Sequence, residues 1–463
     1  MQNLYKDTKA LDSRCYMQFG LEPEILMENA GNALKNLIMR LVQRGSVISI
    51  VCGGGDNGGD GYVLARQLLG DYRVWVYSAK PPKSKNCIKQ HERATALGVE
   101  FVKKLLPCDV VVDCFIGSGL QSTLDAEANK LIDSMNRVGR IKIACDIPSG
   151  VRAYGDIAKA FLADYTLAMG ARNVALYRDE AKAYVGVVEV GDLGVSASKY
   201  EVDSHIKLLE ASDLQLPLRK NPNVHKGDFG HLCVYAGEKS GAGSLCALAG
   251  LRIGAGSVSV IGDLHPYFAE VMYMSIPSAK TSAFCIGMGM GTEIPEVFLA
   301  LDPMLPCVLD ADILRHERIA ELLSSHQNIV ITPHCGEFLN LWERCGMGEL
   351  AKEDFLADKM EYFMRFCSKY PHVVMVLKGA NVMIAKKDRV YINALGNAAL
   401  AKAGSGDVLA GIIGGLLAQG FLPLEAALHG SLIHSLCAQD FCEKNYALTP
   451  LDIIATLGRV VLE

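Results

Sequence analysis

The chain has 463 residues, half of them hydrophobic and 21% charged, with Lys+Arg 46 against Asp+Glu 51. That length exceeds what one hydrophobic core supports and suits two or three α/β domains, and so high an apolar share excludes a disordered protein. A net charge of −5 with no block of like charge argues against a nucleic-acid partner or a polybasic membrane contact.

Met1 to Asp7 lacks the basic-then-apolar order of a secretory leader, which predicts a cytoplasmic protein. Val47–Cys52 is a short β-branched run that stops at glycines. A helix is expected over Gly61–Leu69, then strands at Arg73–Tyr77, Val110–Phe115 and Ile141–Ile147. Continuous apolar strands separated by helices predict a parallel sheet covered on both faces. Texture changes over Lys199–Pro222, where prolines bracket Leu218-Arg219-Lys220-Asn221, and this reads as a linker. A second alternating series follows, with strands at His231–Tyr235, Ser257–Ile261, Cys307–Leu309, Ile329–Thr332 and Val373–Leu377. A small-residue helix is expected at Gly243–Leu251, a hairpin over Asn381–Asn393 turning at Lys387-Asp388, and closing helices at Ser405–Gln419 and Pro423–Cys437. The glycine-interrupted apolar stretch Val408–Leu422 reads as a buried helix and not a membrane span. The fold class is therefore α/β in two domains, residues 1–205 and 206–463. The fifteen cysteines are scattered in apolar segments with no C-x-x-C, as expected of reduced, buried thiols.

Gly53-Gly54-Gly55-Asp56-Asn57-Gly58-Gly59-Asp60-Gly61 follows the first strand and satisfies G-x-G-x-x-G. The acid that would hold a ribose after the second strand is missing there, since the strand ends Tyr77-Ser78. Asp56 and Asp60 would also repel a diphosphate, so the loop suits a cation or proton exchange with an uncharged ring. Asp113 lies inside the third strand, which runs on into Gly117-Ser118-Gly119-Leu120, and Asp146 ends the fourth, before Ile147-Pro148-Ser149-Gly150. Carboxyl ends of parallel strands share one edge, where ligands bind.

In the second half, Gly404-Ser405-Gly406-Asp407 opens an apolar helix. Glycines let backbone N–H groups converge there, the helix dipole adds positive character, and Asp407 stands ready to take a proton from an attacking hydroxyl. No G-x-x-x-x-G-K-[ST] occurs, which excludes a P-loop nucleotidase. His429 and His434 share an apolar helix without metal spacing and read as structural.

Preceded by Met27-Glu28-Asn29-Ala30-Gly31, the first set of motifs resembles the NAD(P)HX epimerases over about the first 200 residues. The resemblance implies a Rossmann-like domain acting on NADH or NADPH hydrated at C6 of the nicotinamide. Asp56, Asn57, Gly58, Gly59, Asp60, Asp146 and the run Gly117, Ser118, Gly119, Leu120, Gln121, Ser122 and Thr123 would then contact substrate. Asn57, Asp113 and Ser149 would hold K⁺. Asp146 and Asp60 are both candidates for the acid/base, and Asp56 stands where the family usually has a neutral residue. The second set resembles the ADP/ATP-dependent NAD(P)HX dehydratases of the ribokinase-like superfamily over about 210–463. It comprises His225-Lys226-Gly227-Asp228-Phe229-Gly230, Ser240-Gly241-Ala242-Gly243, Gly287-Met288-Gly289-Met290-Gly291, Leu309-Asp310-Ala311-Asp312, Thr332-Pro333-His334-Cys335-Gly336-Glu337, Leu377-Lys378-Gly379-Ala380 and Gly404–Asp407. Carried over, Asp407 is the base on the C6 hydroxyl, and Gly404, Ser405 and Gly406 form the anion hole. Lys378, Gly379, Ala380 and Gly406 lie near ADP or ATP with Mg²⁺, and Ala242, Gly289 and His334 contact the hydrate. Domains of both kinds often associate, so a homo-oligomer is expected. The alternative is a small-molecule kinase of the ribokinase superfamily with an N-terminal nucleotide-sensing domain.

Overall fold

A computed structural model describes residues 1–120, 123–262, 267–291 and 301–460. Its contacts divide into two units, Asn3–Ser204 and His205–Glu463, the latter taking Met1–Gln2.

In the first unit the strands are β1 (Gln2–Tyr5), β2 (Val47–Cys52), β3 (Arg73–Ser78), β4 (Glu100–Phe101), β5 (Cys108–Cys114), β6 (Gly139–Cys145), β7 (Tyr165–Met169), β8 (Arg172–Asn173) and β9 (Val187–Gly191). The main sheet is wholly parallel in the order β4-β3-β2-β5-β6-β7-β9, while Leu4 and Tyr5 of β1 pair with β8. Helices α1 (Lys9–Phe19), α2 (Pro23–Leu41), α3 (Asp56–Leu68), α4 (Lys85–Ala96), α5 (Ala126–Val138) and α6 (Ala197–Tyr200) accompany it. Proline at the first position starts α2, and its buried stripe Leu26, Met27, Ala30, Leu34, Leu37, Ile38 repeats at helical spacing.

One boundary differs from the sequence reading. The helix expected from Gly61 begins at Asp56, so Asp60 sits inside α3 and does not cap it. Glycine is a poor helix former, yet contact with the strands requires it here. A Cβ on Gly58 would lie 2.0 Å from the Gly53 carbonyl oxygen, and one on Gly61 would lie 2.7 Å from Cys52 Sγ. Tertiary packing overrides propensity.

The second unit contains β10 (Ile206–Leu208), β11 (His231–Tyr235), β12 (Ser257–Ile261), β13 (Met272–Met274), β14 (Ala283–Ile286), β15 (Cys307–Leu309), β16 (Ile329–Ile331), β17 (Val374–Leu377), β18 (Val382–Lys386) and β19 (Arg389–Asn393). Their order is β13-β12-β11-β14-β15-β16-β17-β18-β19-β10. Pairing is parallel from β13 to β17, antiparallel through β18 and β19, and parallel again to β10. The β18–β19 hairpin turns at Lys387, whose φ is 59°, at the expected place. The helices are α7 (Ser240–Arg252), α8 (Ile319–Ser325), α9 (Cys335–Arg344), α10 (Lys352–Ala357), α11 (Lys359–Lys369), α12 (Ser405–Ala418), α13 (Pro423–Leu436) and α14 (Pro450–Thr456). Helix α12 is apolar nearly all round and buried, pressed so close to α7 that a Cβ on Gly411 would lie 2.1 Å from the Cys246 carbonyl oxygen.

The stretch 199–222 is not a plain linker, because β10 within it pairs with β19 as an integral strand of the second unit. Three residues with a partner far along the chain leave no local signal. Every cysteine is a free thiol, and all but Cys335 and Cys442 are buried. Among the described residues, no helix is long and apolar enough to cross a membrane.

Candidate active sites in the two units

Strand ends of the first unit open into a cavity of about 630 Å³. Four carboxyls line it: Asp12 from α1, Asp56 and Asp60 from α3, and Asp146 from the end of β6. Asp146 has φ 65°, a left-handed conformation that Asp tolerates better than most residues and that commonly marks functional positions. Burial raises its pKa, against lowering by backbone hydrogen bonds from Met169 and Ser118 and by the Ser118 hydroxyl. Burial pushes Asp60 well above the carboxylate range, with Asp146 and Asp56 adding to the rise, and the Cys145 thiol donates to Asp60 Oδ2 at 3.8 Å. Asp56 is exposed and accepts from Ser84 Oγ at 2.6 Å.

Asp113 is fully buried, two residues before Phe115, which lines this cavity. Its Oδ1 accepts from Phe115 N at 3.1 Å and Ser149 Oγ at 2.7 Å, and its Oδ2 accepts from Ser149 N at 2.7 Å. Burial nonetheless raises it to about 6. Both polar side-chain atoms of Asn57 are buried without a hydrogen-bond partner, and a Cβ on Gly117 would lie 3.3 Å from Asn57 Cγ. Of the predicted contact residues, Asp56, Asn57, Asp60, Gly117, Ser118, Gly119 and Asp146 line the cavity. Gly58, Gly59, Leu120 and Thr123 do not line it, and Gln121 and Ser122 fall outside the described residues. Gly58 and Gly59 instead let α3 approach the Gly53 carbonyl and the Met27 side chain. Sequence reasoning missed Thr8, Lys9, Asp12 and Asn86, which line the same space. No glycine motif flags them.

In the second unit the carboxyl ends of β15, β16 and β17 meet the start of α12. Lys378, just after β17, donates to Asp310 Oδ1 at 2.8 Å and lies 3.6 Å from Glu337 Oε2. Burial lowers its pKa, but Asp310, Glu337 and Asp407 outweigh that and the result is a rise, so Lys378 stays charged. His334 caps α9 through a reciprocal pair: its N–H donates to Glu337 Oε2 at 2.7 Å, and its Nδ1 accepts from Glu337 N at 3.1 Å. Cys335 takes the first helical position of α9.

Gly404 is the N-cap of α12 with φ 89°, and a Cβ there would meet Pro450 Cγ at 2.6 Å. Gly404→Ala is expected to destabilise the second unit by about 2 kcal/mol, checked by denaturant melting, because left-handed backbone and a clash act together. A Cβ on Gly406 would lie 3.4 Å from Lys378 Nζ and 3.8 Å from Asp310 Oδ2, which places the loop beside the ion pair. Burial raises Asp407 to about 6; Asp310, Asp312 and Glu337 add to the rise, against Lys378. Gly289, with φ 64°, abuts Ala242: a Cβ on it would lie 3.1 Å from Ala242 Cβ. His434, expected to be structural, is buried and held neutral by burial at about 4. Its Nε2 lies 3.0 Å from the Ser405 carbonyl oxygen and 3.1 Å from the Ser405 hydroxyl, which ties α13 to the loop. In the sequence Asp310 and Glu337 stand out only as parts of motifs; their grip on Lys378 needs three strand ends brought together.

Comparison with known proteins follows the same division. A family model described as NAD(P)H-hydrate dehydratase matches residues 232–459, and one described as YjeF-related protein N-terminus matches 23–175. The bifunctional NAD(P)H-hydrate repair enzyme of Helicobacter pylori is 44% identical, over 99% of this chain and 100% of that protein. The chain belongs to the bifunctional NAD(P)H-hydrate repair enzymes. The repair enzyme of Thermofilum pendens is 31% identical over 95% of this chain and 91% of its own length. Among solved structures, the ADP/ATP-dependent NAD(P)H-hydrate dehydratase of Bacillus subtilis, co-crystallised with ATP and Mg²⁺, is 24% identical. It covers 54% of this chain and 94% of its own, with a TM-score of 0.44.

Proposed function

We propose that residues 1–205 interconvert the (R) and (S) epimers of NADH and NADPH hydrated at C6, and that residues 206–463 dehydrate the (S) form at the expense of ADP or ATP. Fusion has a chemical reason: a hydrate formed without stereocontrol is a mixture, and a stereospecific dehydratase strands one epimer unless the other unit converts it.

In the dehydratase half, Asp407 takes the proton of the C6 hydroxyl as its oxygen attacks the terminal phosphoryl group. Backbone N–H groups of Gly404, Ser405 and Gly406 at the start of α12 receive the developing charge, and Lys378 neutralises it. Phosphate then leaves C6 as a proton leaves C5, which restores the ring double bond and yields NAD(P)H with AMP or ADP. Ala242, Gly289 and His334 face the hydrate; Gly379 and Ala380 flank the nucleotide. The observation that carries this reading is the half-buried Asp407 carboxyl, one residue beyond the glycine N-terminus of α12 that lies beside the Lys378–Asp310 ion pair. Among the described residues no group of three His, Cys, Asp or Glu side chains is placed to hold a metal ion. Mg²⁺ would arrive on the nucleotide phosphates, as it commonly does, and shield their charge.

For the epimerase half, Asp146 and Asp60 exchange protons with the C6 hydroxyl. The unpartnered Asn57 Oδ1, the Asp113 carboxylate and Ser149 are hard oxygen donors that suit K⁺. Bound there, the ion would compensate the buried Asp113 charge and fix the Asn57 side chain. The test is incubation of the full chain with both epimers and ADP or ATP, following the return of NADH absorbance with chiral separation of the remainder. A stable phosphorylated product without NADH would favour the kinase alternative.

A pH dependence follows. Asp407 works as a base only when ionised, and its pKa is raised, so kcat/KM for dehydration should climb with pH through about 6 and level off above. Initial rates between about pH 5 and 8 check this; a flat profile would contradict the assignment.

A further inference from the structure

The cavity of the first unit contains a carboxyl that the reaction above leaves idle. Asp12 reaches it from α1, whereas Asp60 and Asp146 reach it from α3 and the end of β6. Behind Asp12 stands Tyr200, 1% exposed, whose hydroxyl donates to Asp12 Oδ1 at 2.7 Å. Two features fix that tyrosine. Its ring occupies the place of a side chain on Gly170, where a Cβ would lie 2.5 Å from Tyr200 Cζ. Arg14, two residues beyond Asp12, donates to the Tyr200 carbonyl at 2.5 Å. A buried tyrosine fixed at its ring and at its backbone thus aims its hydroxyl at a cavity carboxyl.

Inversion at C6 has a stereochemical demand. The hydroxyl must leave from one face of the ring and water must return on the other. From these two facts we propose that Asp12 is a second catalytic residue of epimerisation, serving the ring face opposite Asp60 and Asp146, with Tyr200 as its positioning residue. On one face a carboxylic acid protonates the C6 hydroxyl, the C6–O bond breaks, the ring nitrogen lone pair forms the iminium, and water departs. On the other face water forms the new C6–O bond and gives its proton to the facing carboxylate. One proton passes from one side to the other, and the next turnover in reverse, or solvent, restores it. Burial raises Asp12 to about 6, against the Tyr200 hydrogen bond, with Asp146, Asp7 and Asp56 adding to the rise. Such a group serves as acid or base near neutrality.

This inference rests on the epimerase reading, and the experiment separates them. Each pure epimer of hydrated NADH is incubated with the full chain in ¹⁸O-water without nucleotide. Inversion is followed by chiral chromatography and ¹⁸O at C6 by mass spectrometry. No inversion above background by the unaltered protein would sink the epimerase reading itself. Asp12→Asn should slow inversion in both directions by about 100-fold, yet keep ¹⁸O exchange with retention in one epimer, the one whose hydroxyl faces Asp60 and Asp146. Inversion within a few-fold of the unaltered protein, or exchange lost in both epimers at an unchanged melting temperature, overturns the proposal. Should Asp12→Asn fail to fold, Tyr200→Phe decides: kcat for inversion should fall severalfold with KM unchanged, and an unchanged kcat overturns it.

Discussion

Asp407→Asn should stop dehydration almost entirely while leaving the protein at least as stable. Removing a general base costs about 10²–10⁴ in rate, and the amide keeps the shape of the carboxyl, so KM for the nucleotide should stay within a few-fold. The stability sign is independent of the chemistry. Asp407 is raised in the fold to about 6 by burial and by Asp310, Asp312 and Glu337, against Lys378. A carboxyl whose folded pKa exceeds its unfolded value costs stability increasingly as pH rises through that interval, and the cost is complete above about 6. At neutral pH the variant should therefore gain about 1–3 kcal/mol, less whatever Lys378 loses from its surroundings. Single-turnover formation of NADH from the (S) epimer and melting at pH 5 and 7 measure the two effects. An inactive variant that also melts far lower would make Asp407 structural.

Asp146→Asn should block use of the (R) epimer by about 100-fold or more while the (S) epimer still yields NADH with ADP or ATP. Asn is the substitution of choice because position 146 has φ 65°, which Asn accepts where Ala would be strained. Supplying an equal mixture of the two epimers gives the clearest result: NADH should return quickly to about half the starting amount, then creep at the uncatalysed rate of interconversion. Full recovery at the original speed would remove Asp146 from the chemistry and leave Asp60 or Asp12 to carry it.

Gly404-Ser405-Gly406-Asp407 is contiguous, and a glycine turn that opens an apolar helix has one physical consequence wherever it sits. The parallel sheets were equally legible, since Val47–Cys52 and His231–Tyr235 are runs buried on both faces and bounded by glycines or helices. Strand β10 was not legible, because Ile206–Leu208 is a strand only by virtue of β19. The start of α3 at Asp56 was hidden for a related reason: glycines that weaken a helix locally are what let this one lie against β2 and β5.

By itself the sequence determined the two α/β series, the acid-bearing loops and the glycine N-terminus of α12, all features whose cause lies within a few neighbouring residues. Only the tertiary structure decided which charges meet. Lys378 finds Asp310 and Glu337, His434 finds Ser405, and Tyr200 finds Asp12, 188 positions earlier, because distant strand ends and helices converge on shared spaces. A charge acts through distance in space, and spacing along the chain carries no record of it.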